Sequence, residues 1–510
     1  MLLPVKDRQP AVNTPAPADK RLPGRDASAH VPPMPVSPDY RPHPAFATLG
    51  ADFADPVAPA DFPQTILRYR NQRAAASVGL DTLTDAEWIG HFGRFQPLPA
   101  QPQAGPLAMR YHGHQFRVYN PDLGDGRGFL FAQLREKDTG RLLDLGTKGS
   151  GQTPWSRTAD GRLTLKGGVR EVLATAMLEA LGVPTSRSLS LVETGEALER
   201  QDEPSPTRAA VLVRLSHSHI RFGTFQRQAY HERADNIRVL IDHVIALYYP
   251  ELGNAAPEAR PALLLGKIAA AAAHLTARWM TAGFVHGVLN TDNMNVTGES
   301  FDYGPYRFLP RNDPNFVAAY FDQTGLYSFG RQPDAVFWNL QQLAGALTLV
   351  SETEPLVEAL NAFAPAYREA LKAAMLNRLG LKPRGDPDDL ELVNLAFRTL
   401  AEAGPDARWE PFFFDWFCGT VSQGRAMAGP RHGLYGGEQA SAFRAKLAGF
   451  DPERPERLAD PYFERPEPEE LLYDQIEALW AAITTGDDWS AFNDKLGAIE
   501  RARVAWGLAR

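Results

Sequence analysis

Two short stretches deep in the chain limit what it can fold into: His286-Gly-Val-Leu-Asn-Thr-Asp-Asn293 and Phe301-Asp302-Tyr-Gly304. Together they supply an amide oxygen on Asn293, a carboxylate on Asp302 and a second carboxylate on Asp292. Amide and carboxylate oxygens are the hard donors that Mg2+ prefers beside phosphate. A fold that uses them must bring the two stretches to one point. Asp292 admits several readings on its residues alone: a proton acceptor, a third ligand, or a residue that merely caps the turn.

A matching set of elements lies upstream. Gly128-Phe-Leu-Phe-Ala-Gln-Leu134 and Leu142-Leu-Asp-Leu-Gly-Thr-Lys148 read as strands around the turn Asp138-Thr-Gly140. The first leaves the glycine-rich Gly124-Asp-Gly-Arg127 and the second ends in Lys148. Residues 168–181 read as the clearest helix, with Val169, Val172, Leu173, Ala176, Met177, Ala180 and Leu181 on one apolar stripe. Gly182 and Pro184 end it, and Glu171 lies opposite the stripe. Strand-like Leu189–Glu193 and Ala209–Leu215 follow. Beyond 225 the pattern is helical, at Ala234–Tyr249, Pro261–Ala282, Val336–Leu349, Pro355–Leu379 and Asp388–Ala403. The expected class is α+β, with a β-rich first lobe and a helical second.

Eleven prolines in residues 1–46 remove amide donors and block helices, so 1–45 reads as a disordered Pro/Ala-rich tail. Residues 46–105 read as an N-terminal extension with short helical patterns at Pro63–Tyr69 and Thr84–Ile89, the second opened by a Thr84/Glu87 capping box. The β-rich lobe spans 106–225, and the helical lobe with the metal loop spans 226–403. A helical extension broken by Pro/Glu-rich linkers spans 404–510.

A net charge of −8 argues against a nucleic-acid partner or a polybasic membrane surface. Cys418 is the single cysteine, so neither a disulfide within the chain nor a Cys-based zinc site can form. No run of 18 apolar residues is present, so no transmembrane helix is expected. The opening Met-Leu-Leu-Pro-Val-Lys has no apolar signal core, and the expected location is cytoplasmic.

Further constellations bear on anion chemistry. Gly124 and Gly126 would let backbone amides approach phosphates, and Arg127 adds a donor fork; the same residues also read as a plain hairpin turn. Lys148 has a candidate partner in Glu171, against the alternatives of a solvated glutamate or one paired with Arg170. Asp160-Gly161-Arg162 is either a surface turn or a loop over a nucleotide. Arg214 and Arg221, at a strand–loop junction, suit anionic oxygens. His217 and His219 between them lack a nearby carboxylate or cysteine to complete a metal site.

The spacing of His286, Asn293 and Asp302 resembles the catalytic motifs of protein kinases, in which an Asp takes the substrate proton while an Asn and a second Asp hold metals. Val288 stands at the position of that catalytic Asp. Ordered matches extend from Tyr111-His-Gly-His-Gln-Phe116 through Leu123–Gly128, Lys148–Gly151, Thr153–Arg157, Asp160–Arg162, Arg170-Glu171, Gly182–Thr185, Arg221–Gly223, Gly283–Met294 and Asp302–Pro305 to Tyr327–Phe329. On these the chain is identified as a member of the selenoprotein O family of AMP-transferring pseudokinases, and a bacterial one. The resemblance implies a protein-kinase-like bilobal fold with N- and C-terminal helical extensions. It implies ATP bound with its α-phosphorus toward the acceptor, Mg2+ or Mn2+, and Ser, Thr or Tyr hydroxyls of proteins as acceptors, this chain's own included; uridylyl transfer from UTP, conventional phosphotransfer and a non-catalytic nucleotide-binding scaffold are the alternatives. Residue by residue, it assigns the nucleotide to Gly124, Gly126, Arg127, Lys148, Asp160, Gly161, Arg214, Arg221 and Asp302. The metal falls to Asn293 and Asp302, the ion pair with Lys148 to Glu171, and the proton to Asp292. Where many members end in a redox-active cysteine or selenocysteine motif, this sequence reads Val504–Arg510 without a thiol, so thiol-dependent regulation is not expected.

Overall fold

The computed structural model describes residues 36–99, 105–201, 203–404 and 407–508. Of the tail expected over 1–45, residues 1–35 therefore lie outside the described residues. From there on the chain is bonded to the sheet: the His43 amide donates to the Gln133 carbonyl at 2.9 Å, and Phe46 is buried.

Among the described residues, eight strands build one antiparallel sheet in the order Ala54–Pro56, Leu107–Met109, Leu130–Arg135, Leu142–Lys148, Thr207–Ser216, Arg187–Leu198, Ile66–Arg70, with Leu163–Thr164 on the Thr207–Ser216 strand. At its centre Leu212 lies opposite Lys148 and Arg214 opposite Gly146. Alternate residues of this strand enter different cores. Val211, Val213 and Leu215 pack with Trp88 and Phe92 of the helix Asp85–Phe92, and Ala210 and Leu212 pack with Val169 and Leu173 of the helix Leu165–Ala180. Both faces are covered, which is why 209–213 reads as a continuous apolar run and not as an alternation. The capping box at Thr84 and Glu87 is formed.

The Leu165–Ala180 helix starts at Thr164, whose hydroxyl accepts from the Gly167 amide at 3.1 Å. One side of it packs on the sheet. Its other side packs on the helix Ser490–Trp506, and Ile499 of that helix and Ile476 and Ile483 of Tyr473–Gly486 belong to the same core. Lys166 pairs with Glu477 at 2.8 Å across that contact. Glu171, opposite the apolar stripe, is buried at 2% exposure against Lys148 and Arg214 of the central strands. The stripe describes only the wall near in sequence; the second wall comes from the far end of the chain.

Three expectations are corrected. Pro63–Tyr69 is not helical: Ile66–Arg70 is an edge strand, with Leu67 opposite Val192 and Tyr69 opposite Leu191. The N-terminal extension is thus not simply helical, because its strands Ala54–Pro56 and Ile66–Arg70 close both edges of the sheet. A segment this short is settled by the ladder it joins, here with Arg68 paired to Glu193 at 2.7 Å. The helix expected over Pro355–Leu379 is two, Thr353–Asn361 and Phe363–Arg378. Pro365 has no amide to donate and falls in the first turn of the second, where none is needed.

The second half is built from the helices Ala234–Tyr248, Arg260–Thr281, Gln332–Leu347 and Asp388–Glu402. A separate aromatic core gathers Trp409, Phe413, Trp416, Phe417 and Trp506. Cys418 is buried there, and burial pushes its thiol up to about 11, so it is a packing residue. Among the described residues no helix is long and apolar enough to cross a membrane.

Leu212 is fully buried between Lys148's strand and the Glu171 helix. Leu212→Ala is expected to cost about 2–5 kcal/mol in urea unfolding; a loss well below 1 kcal/mol would remove this strand from the core.

Candidate active site

His286 joins the two stretches singled out above. Its amide donates to Gln332 Oε1 at 3.0 Å, and its ring Nε2 donates to the Phe301 carbonyl at 3.1 Å. Burial holds the imidazole below its ordinary pKa, so it serves as a neutral strut. Asp302 follows with φ 66°, in the left-handed region. Asp tolerates that conformation better than most side chains, at a cost of about 1–3 kcal/mol, and such residues gather at functional sites.

The turn aims the Asp302 carboxylate at three cations. Oδ1 lies 3.1 Å from Lys148 Nζ and 3.0 Å from Arg214 Nη1, and Oδ2 lies 3.1 Å from Arg221 Nη1. Burial alone would raise the Asp302 carboxyl, but Lys148, Arg214, Arg221 and Arg127 together hold it well below the carboxylate range. Lys148 also pairs directly with Glu171 Oε1, and Arg214 Nη1 lies 3.8 Å from Glu171 Oε2. Glu171 is therefore neither solvated nor paired with Arg170. Arg170 instead donates to the Tyr306 carbonyl at 3.0 Å and lies over the Tyr306 ring, fixing the segment after Asp302.

Arg221 ties this cluster to the Asp292 loop. Its Nη1 donates to the Asp292 carbonyl, its Nη2 lies 3.6 Å from Asp125 Oδ1, and its guanidinium lies 4.5 Å from the Tyr111 ring and 4.8 Å from the Phe301 ring. Asp292 sits in the turn Thr291–Asn293. Its carboxylate Oδ1 is buried and has no hydrogen-bond partner among the described residues. Burial raises the group to about 6, with Arg221 opposing and Asp302 adding to the rise. Asn293 ends the same turn, half-buried.

The remaining expected residues divide. Arg127 lines a cavity of about 400 Å³ with Lys148, Glu171, Arg162, Tyr320 and Phe321, a size that suits a nucleotide. Gly124 and Gly126 lie beneath the Thr153–Ser156 segment: a Cβ on Gly124 would stand 2.4 Å from the Trp155 ring, and one on Gly126 2.8 Å from the Trp155 carbonyl. Asp160 is not drawn into the cluster; it pairs with Arg200 at 2.8 Å and accepts from the Arg162 amide at 2.9 Å. Gly161, at φ 70°, packs on Gly151, its carbonyl accepting from the Gly151 amide at 3.2 Å. His219 pairs with Asp144 at 3.2 Å.

Sequence reasoning missed Asp125. Its carboxylate accepts from the Met109 amide at 3.0 Å and faces Arg221, and burial raises it. Its place between Gly124 and Gly126 was the available signal, but Gly-Asp-Gly reads first as a turn. Arg200, in a loop between two strands, carried no signal at all.

For a metal, the donor set is short. Among the described residues no three His, Cys, Asp or Glu side chains gather as a metal site. Asn293 and Asp302 offer two hard oxygens, which suits Mg2+ or Mn2+ completed by phosphate and water; the unpartnered Asp292 Oδ1 is a third oxygen nearby.

A cation cluster beside a nucleotide-sized cavity and an unpartnered carboxylate suits chemistry on a phosphate ester. Comparison with known proteins agrees. The family model described as protein adenylyltransferase SelO matches residues 38–500. A protein nucleotidyltransferase YdiU from Gloeobacter violaceus is 48% identical over 93% of this chain and 98% of its own. One from Synechocystis is 44% identical over 88% and 96%, and one from Pseudomonas putida 42% identical over 71% and 73%. The chain is a nucleotidyltransferase. It belongs to the SelO family.

The Lys148–Glu171 pair is buried on both sides. Lys148→Met leaves Glu171 with only the more distant Arg214 and is expected to cost about 3 kcal/mol. Lys148→Met/Glu171→Leu should recover most of that loss in urea unfolding, since no buried charge is then stranded. A double variant no more stable than the single one would show that the pair does not hold the helix.

Proposed function

We propose that the chain transfers AMP from ATP to Ser, Thr or Tyr hydroxyls of proteins and releases pyrophosphate, acting in the cytoplasm through a protein-kinase-like bilobal fold. The observation that carries this reading is the separation of two carboxylates. Asp302 is held ionised by the cations around it, while Asp292 has an unpartnered oxygen and a carboxyl that burial raises to about 6. Val288 stands where a phosphate-transferring kinase would keep its base.

In this reading Lys148, Arg127, Arg214 and Arg221 hold the polyphosphate, with Gly124, Gly126, Asp160 and Gly161 bordering the nucleotide. Glu171 keeps Lys148 in place. The acceptor hydroxyl oxygen attacks the α-phosphorus, and a new phosphorus–oxygen bond forms. The bond from that phosphorus to the bridging oxygen of the β-phosphate breaks, and pyrophosphate leaves with the electron pair. Asp292 takes the hydroxyl proton; a carboxylate raised to about 6 is poised for that transfer near neutral pH. The cationic side chains neutralise the charge that grows on the departing pyrophosphate. Asn293 and Asp302 would hold Mg2+ or Mn2+, which when bound draws charge from the phosphate oxygens.

The test uses ATP labelled separately at the α and γ positions. Label should enter protein from the α position with pyrophosphate released; comparable entry of γ label would make the chain a phosphotransferase. α-Labelled UTP in the same assay establishes the preferred base. Asp292→Asn should slow transfer by roughly a hundredfold while calorimetric ATP affinity is kept. Asp302→Ala should lose both transfer and metal-dependent ATP affinity. Equal loss of affinity in the two variants would make Asp292 a ligand and not the base.

A further inference from the structure

Tyr111-His-Gly-His-Gln-Phe116 stands out in the sequence, yet the reaction above gives it no part. In the structure it leads into a two-stranded ribbon, Gly113–Gln115 paired with Val118–Asn120. The ribbon is fastened through its backbone to the loop that carries Asp292. The His114 amide donates to Thr291 Oγ1 at 2.7 Å. The Phe116 amide donates to Asn290 Oδ1 at 3.1 Å, and the Tyr327 hydroxyl donates to the same oxygen at 2.8 Å.

Gly113 closes against the carboxylate itself. A Cβ there would stand 3.3 Å from both Cβ and Oδ1 of Asp292, and 3.0 Å from Thr291 Oγ1. Those distances are tighter than ordinary van der Waals contact, so a methyl group would press directly on Oδ1. At the ribbon's tip Phe116 and Arg117 have φ of 50° and 65°, where two-residue hairpin turns ordinarily place Asn and Gly. The strained tip is held from outside: the Phe116 ring lies 5.1 Å from Tyr327, and the Arg117 guanidinium lies 5.4 Å from the Trp338 ring. Strain maintained at the tip of a ribbon whose Gly113 lies against a buried carboxylate points to a positioning role.

We propose that this ribbon is the positioning element for Asp292, with Thr291 and Gly113 setting where its carboxylate meets the acceptor hydroxyl. The inference rests on Asp292 as the proton acceptor and extends it. The turn Thr291–Asn293 has its own bond from the Asn293 amide to the Asn290 carbonyl, 3.0 Å. That bond sets the turn's backbone, while the Thr291 side chain is gripped from the ribbon. Proton transfer demands an oxygen within about 2.6–3.2 Å of the donor. A small shift of Asp292 therefore slows transfer and leaves the polyphosphate end of the site alone.

The experiment compares Thr291→Val, Thr291→Ser and Gly113→Ala in the full chain, with α-labelled ATP and total lysate protein as the acceptor pool. Thr291→Val keeps the shape of the side chain but strands the His114 amide; its kcat should fall about tenfold or more with KM for ATP nearly unchanged. Thr291→Ser restores the acceptor oxygen and should recover most of the rate. Gly113→Ala should reproduce the Thr291→Val split with ATP affinity by calorimetry intact, and it decides the matter if Thr291→Val does not fold. A wild-type kcat in Thr291→Val or in Gly113→Ala, or no rescue by serine, overturns the proposal. Asp292→Asn is run beside them. If it transfers at the wild-type rate, the base assignment falls and the ribbon's role with it. If it is slow while Thr291→Val and Gly113→Ala are fast, the ribbon's role alone falls.

Discussion

Asp302 brings one negative charge into a pocket that already holds Lys148, Arg214 and Arg221. Each cation belongs to a different part of the fold. Lys148 ends one central strand, Arg214 lies in the next, and Arg221 opens the helix Phe222–Tyr230. Through Lys148 the carboxylate reaches Glu171 and its helix, and through Arg221 it reaches the Asp292 backbone. Without this carboxylate the three cations would have only Glu171 and Asp125 as counter-charges in a medium of low polarity, where like charges repel strongly. Burying so many charges is costly, and the gain in stability is small at best. The network determines where sheet, helix and loop stand relative to one another.

The same logic separates two aspartates of one sequence neighbourhood. Asp302 is ionised over the whole physiological range because cations outweigh its burial. Asp292 is the more deeply buried of the two, with Arg221 as its principal counterweight, and is raised to about 6. Environments that push two carboxylates apart create a permanent anion and a proton acceptor from one residue type. The split needs no difference in side-chain chemistry.

Much of this was legible in the sequence where the signal was local. The hairpin before Lys148 and the helix after Thr164 are formed close to the expected residues, because apolar periodicity and turn glycines report short-range packing. The segment Ile66–Arg70 was misread because an edge strand takes its identity from its neighbour, Arg187–Leu198, far along the chain. Glu171 looked solvent-facing for a related reason: the cations that bury it, Lys148 and Arg214, come from two strands that only the fold brings to it. In the site, motif spacing found the cation cluster and Asp292. It missed Asp125, whose meaning appears only when Arg221 stands opposite, and it did not foresee that Asp160 turns to Arg200.

The helix bearing Glu171 is walled by the sheet on one side and by Ser490–Trp506 on the other, with Leu508 lying against Gly182 just beyond its end. During synthesis the sheet-side wall emerges from the ribosome long before the second. Until the Ser490–Trp506 helix has been made, one face of the Glu171 helix has nothing to pack on, and Lys148 faces a glutamate not yet held in place. A growing chain therefore carries every cationic and acidic group of the site well before the second packing surface of the Glu171 helix has been made.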